Sequence, residues 1–176
     1  MMKRNKKKII VEGRSDKIFL DALLKFLNKK MKYDVTQSGK GDKCEITNKR
    51  KIRLLITDAF DDGYEEIILV IDKETQLKCG INYDCILELK DEYRKMMKIP
   101  KQVKIVVVDK EIECWYLLWI NDLKNYYKDC ISQAFKTYKI NQKSKITLAQ
   151  RAIKDIEMIL KHKKRNKSFE YFLNIL

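Results

Sequence analysis

Unbroken apolar runs alternate along this chain with stretches of helical periodicity. Residues 7–12 end the run Ile9-Ile10-Val11, residues 66–72 hold Ile67-Ile68-Leu69-Val70-Ile71, and residues 103–108 are apolar but for Lys104. Continuous rather than alternating apolar character predicts strands covered on both faces. A shorter strand is predicted at 33–37. Between them, Ile18, Phe19, Ala22, Leu23, Phe26 and Leu27 recur at helical spacing, predicting a helix to about Lys30 with Ser15 as its N-cap and Asp16 in its first turn. Ile52, Leu55, Ile56, Ala59 and Phe60 predict a second, capped by Thr47 or Asn48 and ended by Asp61-Asp62-Gly63. A third is predicted over 83–98, with Ile86, Leu89, Tyr93 and Met96-Met97 facing inward and Pro100 marking its end.

Strand, helix, strand, helix, strand, helix, strand is the order of an α/β fold. The expectation is a parallel sheet of about four strands with helices on both faces and right-handed crossovers. From Glu113 the chain turns helical. Trp115 and Trp119, at i and i+4, are read as core. A polar loop is expected at 136–144, a helix at 145–162, and a short last helix at 169–176 capped by Ser168. Residues 1–120 would form the α/β unit and 121–176 a helical C-terminal extension packed on it.

Each strong strand ends in acid. Val11 is followed by Glu12-Gly13, with Asp16 one helical turn on; Ile71 by Asp72-Lys73-Glu74; Val108 by Asp109-Lys110-Glu111-Ile112-Glu113. In open parallel sheets, sites form outside the carboxyl ends of strands. Seven carboxylates (Glu12, Asp16, Asp72, Glu74, Asp109, Glu111 and Glu113) are therefore expected to share one cleft. Acids also end strands because they suit turns and helix starts, but three such endings after buried runs exceed that explanation. Clustered anions demand counter-charge, and hard divalent cations take carboxylate oxygens. One or two Mg²⁺ or Mn²⁺ ions are the cofactor implied, with phosphodiester hydrolysis the chemistry.

Charge points to the same substrate class. The 176 residues carry 39 Lys+Arg against 25 Asp+Glu, a net charge of +14, which favours a polyanionic partner such as DNA or RNA. Lys40, Lys73 and the run Lys163, Lys164 and Arg165 are the candidate nucleic-acid contacts. Ser38-Gly39-Lys40-Gly41-Asp42 is either a phosphate-holding loop or an ordinary turn; it does not fit a Walker loop. The five cysteines form no C-x-x-C pair and are read as reduced, mostly buried thiols of a cytoplasmic protein. One histidine makes a zinc site unexpected. No long apolar segment follows the basic start MMKRNKKK, so neither a signal peptide nor a membrane partner is expected.

The motif set resembles a Toprim domain. Val11-Glu12-Gly13 matches its first motif; Asp72-Lys73-Glu74 stands where the family has Asp-x-Asp and departs at the second acid. The likeness is greatest to the Toprim of the OLD (overcoming-lysogenisation-defect) nucleases and their small stand-alone relatives. Glu12-x-x-x-Asp16 matches their opening, and Glu111-Ile112-Glu113-Cys114-Trp115 resembles a Glu-Ile-Glu-Ala-Trp segment. Lys145-x-x-x-Ala149 partly fits a further motif, with Lys143 in place of its serine. The resemblance implies that Glu12 is a metal ligand and general base or acid. It makes Asp16, Asp72 and Glu74 further ligands, Glu113 a candidate for a second ion, and Lys145 a catalytic residue that stabilises the transition-state phosphate. It also implies a nuclease, with phage or plasmid defence as its setting. The OLD ATPase domain has no counterpart here, so an ATPase partner would be a separate protein. A ribosomal-RNA-maturing Toprim ribonuclease, a primase and a topoisomerase each need motifs or domains this chain lacks. The alternatives are a non-catalytic nucleic-acid-binding module and an effector subunit controlled by an ATPase; self-association is compatible with either.

Overall fold

The computed structural model describes residues 6–39, 45–74, 85–120, 129–141 and 144–176. Its centre is a four-stranded sheet in the order β2-β1-β3-β4, built from β1 (Lys7–Val11), β2 (Tyr33–Gln37), β3 (Glu66–Asp72) and β4 (Lys104–Val108). Every neighbouring pair is parallel, with Ile9 opposite Val35 and Ile68, and Asp72 opposite Val108. The expected α/β class and strand number are therefore observed.

Pleating sends alternate side chains to opposite faces, and both faces are covered. Ile9, Val11, Ile68, Val70, Val106 and Val108 meet α1 (Arg14–Phe26) and the C-terminal helices in one core. Ile10, Ile67, Leu69, Ile71, Ile105 and Val107 meet α2 (Lys49–Asp61) and α3 (Ile86–Met97) in the other. This is why the strands read as continuous apolar runs. Among the described residues no helix is long and apolar enough to cross a membrane.

After β4 come α4 (Glu113–Tyr116), α5 (Cys130–Thr137), α6 (Lys145–Ala152), a 3₁₀ turn (Ile153–Asp155), α7 (Ile156–Lys161), a second 3₁₀ turn (Lys163–Arg165) and α8 (Lys167–Ile175). Leu148, Ala149, Ile159, Phe169 and Phe172 join Phe19 and Leu23 of α1 in the same core.

Several boundaries differ from expectation. Gly13, not Ser15, caps α1, because the Asp16 carboxylate reaches back to accept the Gly13 N–H at 2.9 Å. That helix ends at Phe26, before Asn28 adopts a left-handed conformation at φ 56°. Asn48, one of the two caps expected, does cap α2, its side chain accepting from Lys51 N–H at 3.2 Å. Of the inward face expected for α3, Leu89, Tyr93 and Met97 are buried, while Ile86 and Met96 are exposed. The helix expected over 145–162 is interrupted by the 3₁₀ turn at Ile153–Asp155, and α5, within the stretch expected to be helical from Glu113, runs to Thr137 into the loop expected at 136–144. Asn166 rather than Ser168 caps α8, accepting from Phe169 N–H at 3.0 Å.

The cysteine reading also needs correction. Cys114 and Cys130 are joined in a disulfide that ties α4 to α5, and only Cys85 is a free, exposed thiol among the described residues. The two partners stand close because α4 and α5 pack side by side, a proximity that their spacing of 16 residues does not announce. Cys44 and Cys79 lie outside the described residues.

Candidate metal and phosphodiester site

β1 and β3 are adjacent, yet the helices that follow them lie on opposite faces of the sheet. A crevice opens at the carboxyl ends of two such strands. Glu12 leaves β1 there and Asp72 ends β3. One hydrogen bond locks the two together: the Asp72 N–H donates to Glu12 Oε1 at 2.6 Å. Ser38, at the end of β2, donates its hydroxyl to the Glu12 carbonyl oxygen at 3.0 Å and fixes the backbone from the other side. Gly13 then turns the chain into α1, and Asp16 is buried in the first turn with Ser15 Oγ donating to it at 3.2 Å.

A third acid comes from α4. Glu113 is buried, with 1% of its side chain exposed, and its Oε1 lies 2.9 Å from Lys145 Nζ at the start of α6. Its Oε2 has no hydrogen-bond partner among the described residues. Lys145 also reaches Glu111 at 4.0 Å. Ser144 caps α6 by accepting the Thr147 N–H at 3.3 Å, which sets the direction from which Lys145 enters.

These groups feel one another. Burial, and then the charge of Glu113 and Glu12, push the Asp16 carboxyl from 3.8 up to about 7 against the pull of the Gly13 N–H and Lys145. Burial raises Asp72 as well, helped by Glu12, Asp16 and Glu113. Glu111 is raised from 4.5 to about 7 by burial and by Glu113. For Lys145, burial is the largest influence and works against its charge, but Glu113, Glu111 and Asp72 outweigh it and hold the ammonium above its ordinary range. Asp16, Asp72, Glu111 and Glu113 thus all feel the Lys145 ammonium. A low-dielectric site so rich in anions favours protonation or a bound cation.

The remaining expected acids lie at the margin. Lys110 adopts a left-handed conformation at φ 64°, so β4 stops at Val108 and the residues after it diverge. Asp109 turns outward, 39% exposed, and stands 3.9 Å from Lys73 Nζ. Glu74 is exposed, with its N–H donating to the Lys110 carbonyl at 3.3 Å and its charge felt by Glu111. Among the described residues, no three His, Cys, Asp or Glu side chains are grouped closely enough to hold a metal ion as they stand. The donors present are nonetheless all hard oxygens, and the unpartnered Glu113 oxygen is the kind of atom a divalent cation satisfies.

The expected nucleic-acid contacts are dispersed. Lys163 and Lys164 are exposed on a 3₁₀ turn. Arg165 is turned inward, donating to the carbonyls of Leu118 and Ile120 at 3.0 Å each, and so fastens two segments of the chain. Lys40 lies outside the described residues.

Two neighbours of the site escaped the sequence reading. Tyr116 is buried one turn after Glu113, and its hydroxyl has no hydrogen-bond partner among the described residues. Burial and the nearby Glu113, Asp16 and Asp72 keep it protonated far above the usual phenol range. Its i+3 spacing from Glu113 was the available signal. Ser168 left none. Its Oγ accepts both the Asp109 N–H and the Trp115 Nε1–H at 3.1 Å and donates to Asn166 Oδ1 at 2.6 Å, fastening the Asp109–Trp115 segment to α8. Trp115 is core, as expected; Trp119 is partly buried, with its Nε1–H donating to Tyr138 Oη at 3.3 Å.

No family model and no curated protein matches this chain. Among solved structures it is similar to the C-terminal region of the Xanthomonas campestris pv. campestris OLD protein. The platinum-phased structure gives a TM-score of 0.47 at 14% identity, covering 90% of this chain and 91% of that one. The iodine-phased structure gives 0.45 at 14% identity, covering 92% and 95%.

Proposed function

We propose that this protein is a metal-dependent nuclease that hydrolyses phosphodiester bonds of DNA or RNA at the carboxyl edge of its sheet. The observation that carries the reading is Glu113, a buried carboxylate with one oxygen on Lys145 and the other without a partner among the described residues, beside Glu12, Asp16 and Asp72. Such an anionic excess is costly to maintain unless a cation joins it. The Toprim-like motifs on these same residues support the assignment.

Glu12, Asp16, Asp72 and Glu113 would hold Mg²⁺ or Mn²⁺, with Glu74, Glu111 and Asp109 nearer the rim. The ion would supply charge compensation and Lewis acidity for phosphodiester hydrolysis. Glu12 is oriented by the Asp72 N–H and takes the proton of the attacking water. Water oxygen bonds to phosphorus as the ester P–O bond breaks, and the leaving oxygen is protonated from solvent. Lys145 places its ammonium toward the phosphoryl oxygens and steadies the charge they gain. The surface lysines hold the flanking backbone.

The test is cleavage of plasmid DNA and of single-stranded RNA with Mg²⁺ or Mn²⁺, comparing the wild-type chain with Glu12→Gln and Asp72→Asn. Cutting that needs the metal and disappears in both variants is the expected result, and the substrate that is cut names the class. No cutting together with no calorimetric metal binding would overturn the reading for this chain. Nucleic-acid binding that persists without metal would then favour the non-catalytic module. Metal binding without cutting would favour an effector that needs a separate ATPase.

A further inference from the structure

α2 carries its charges against its own dipole. Lys49, Arg50, Lys51 and Arg53 occupy its first turns, while Asp58 and Asp61 fall toward its C-terminal end. Helix stability favours the reverse order, by roughly 0.3–1 kcal/mol for each charge near a terminus. Lys51 is compensated by an ion pair with Glu45. Lys49, Arg50 and Arg53 are exposed and make no hydrogen bond or ion pair among the described residues. With Thr57 and Leu54, the latter 51% exposed, they line one shallow surface recess.

This face is tied to the acid cleft by a short relay. Ser38, whose hydroxyl donates to the Glu12 carbonyl, also accepts the Glu45 N–H at 3.2 Å. The Glu45 carbonyl accepts the Asn48 N–H at 2.9 Å, and Asn48 caps α2. The basic end of α2 therefore stands on the same edge of the sheet as Glu12. The basic run near the C-terminus offers less, because Arg165 is committed to backbone carbonyls.

We infer that the Lys49, Arg50 and Arg53 face of α2 is a binding site for phosphates of the nucleic-acid backbone flanking the carboxylate cleft, an inference that rests on the cleft taking nucleic acid. Residues 49–53 span about 6 Å of helix axis at ~1.5 Å per residue, a length suited to successive phosphates of one strand. Leu54 offers the carbon face of a sugar an apolar seat. Basic side chains spaced along one exposed helix face suit backbone phosphates, contacts that carry no sequence information.

The test is fluorescence anisotropy with labelled duplex DNA and single-stranded RNA in EDTA, titrated with salt. The variant is Lys49→Ala/Arg50→Ala/Arg53→Ala. Alanine keeps the helix and removes charges that oppose its dipole, so the variant folds with an unchanged or higher melting temperature. Lys25→Ala/Lys136→Ala/Lys154→Ala removes the same charge from α1, α5 and the first 3₁₀ turn, on the other face of the sheet. The α2 variant should lose roughly tenfold or more in affinity near 0.1 M salt. Its slope of log K against log salt should fall by about 2–3, from ~0.9 per lost duplex contact or ~0.7 per single-strand contact. The control should keep the wild-type slope. Equal behaviour of the two variants would overturn the inference, as would poly-glutamate binding as tight as nucleic acid and equally lost, which would mark a receptor for acidic proteins. Cleavage is scored apart from binding. Slope lost in the α2 variant, with no cutting and no metal binding by wild type, upholds the face and removes the nuclease reading; cutting with unchanged slope does the opposite.

Discussion

Lys145 Nζ stands 2.9 Å from Glu113 Oε1, and the ammonium comes from the first turn of α6 while the carboxylate comes from the first turn of α4. The pair brings the extension after β4 into the cleft at the sheet edge. It also sets the Lys145 ammonium against several buried carboxylates.

Removing that cation should be felt in stability. Lys145→Met leaves Glu113 buried without its counter-charge, and breaking a wholly buried pair typically costs about 3–5 kcal/mol. Lys145 is 46% exposed, so solvent screens part of the interaction and about 1–3 kcal/mol is the expected loss. Adding Glu113→Gln should recover part of it. Urea unfolding of both single variants and the double variant reads the coupling; strict additivity would mean the contact contributes nothing.

The metal-free protein should lose stability as pH rises from about 4 to 7. Asp16 and Glu111 titrate near 7 when folded against 3.8 and 4.5 as ordinary values, so in that window the native state holds protons that the unfolded chain has released. The contribution is full below the unfolded values and is lost through the folded ones, at about 1.4 kcal/mol per pH unit for each group. Asp16→Asn should flatten the dependence in EDTA. A wild-type curve that matches the variant between pH 4 and 7 would contradict the assignment. Saturating Mg²⁺ should oppose the fall, because it favours the ionised carboxylates.

Neutralising the cluster should separate stability from activity. Asp72→Asn removes a charge that Glu12, Asp16 and Glu113 all oppose, while the Asp72 N–H that holds Glu12 stays in place. A gain of about 0.5–2 kcal/mol in EDTA is expected, with loss of metal-dependent cutting. A variant both less stable and inactive would point to a structural role instead.

Ser168→Ala should cost about 1–3 kcal/mol. It strands the buried Trp115 Nε1–H and the Asp109 N–H at once. Tryptophan fluorescence should report a looser ring environment in the native baseline, and a change within about 0.5 kcal/mol would show that water replaces the hydroxyl.

The Cys114–Cys130 disulfide closes a loop of modest size and should contribute about 3 kcal/mol in the oxidised chain. Non-reducing peptide mapping should recover the linked pair, and dithiothreitol should lower the unfolding midpoint. Recovery of both peptides unlinked from protein purified without reductant would contradict the bond.

How much of this was legible beforehand depended on the range of the interaction. The strands were readable because a parallel sheet with both faces covered forces continuous apolar runs, and Ile9 to Val11, Ile67 to Ile71 and Ile105 to Val108 obey that rule. Glu12 and Asp72 were readable as site candidates because each lies within a residue of a strand's carboxyl end, and parallel topology gathers those ends. Tertiary structure decided the rest. The left-handed Lys110 bends the chain after β4, leaving Asp109 half-buried beside Lys73 while Glu113 is buried. The pairing of Cys114 with Cys130, the capture of Trp115 by Ser168 and the arrival of Lys145 beside Glu113 all join residues of separate elements. Local periodicity carries no record of such contacts, because they arise only when separate helices close over a common core.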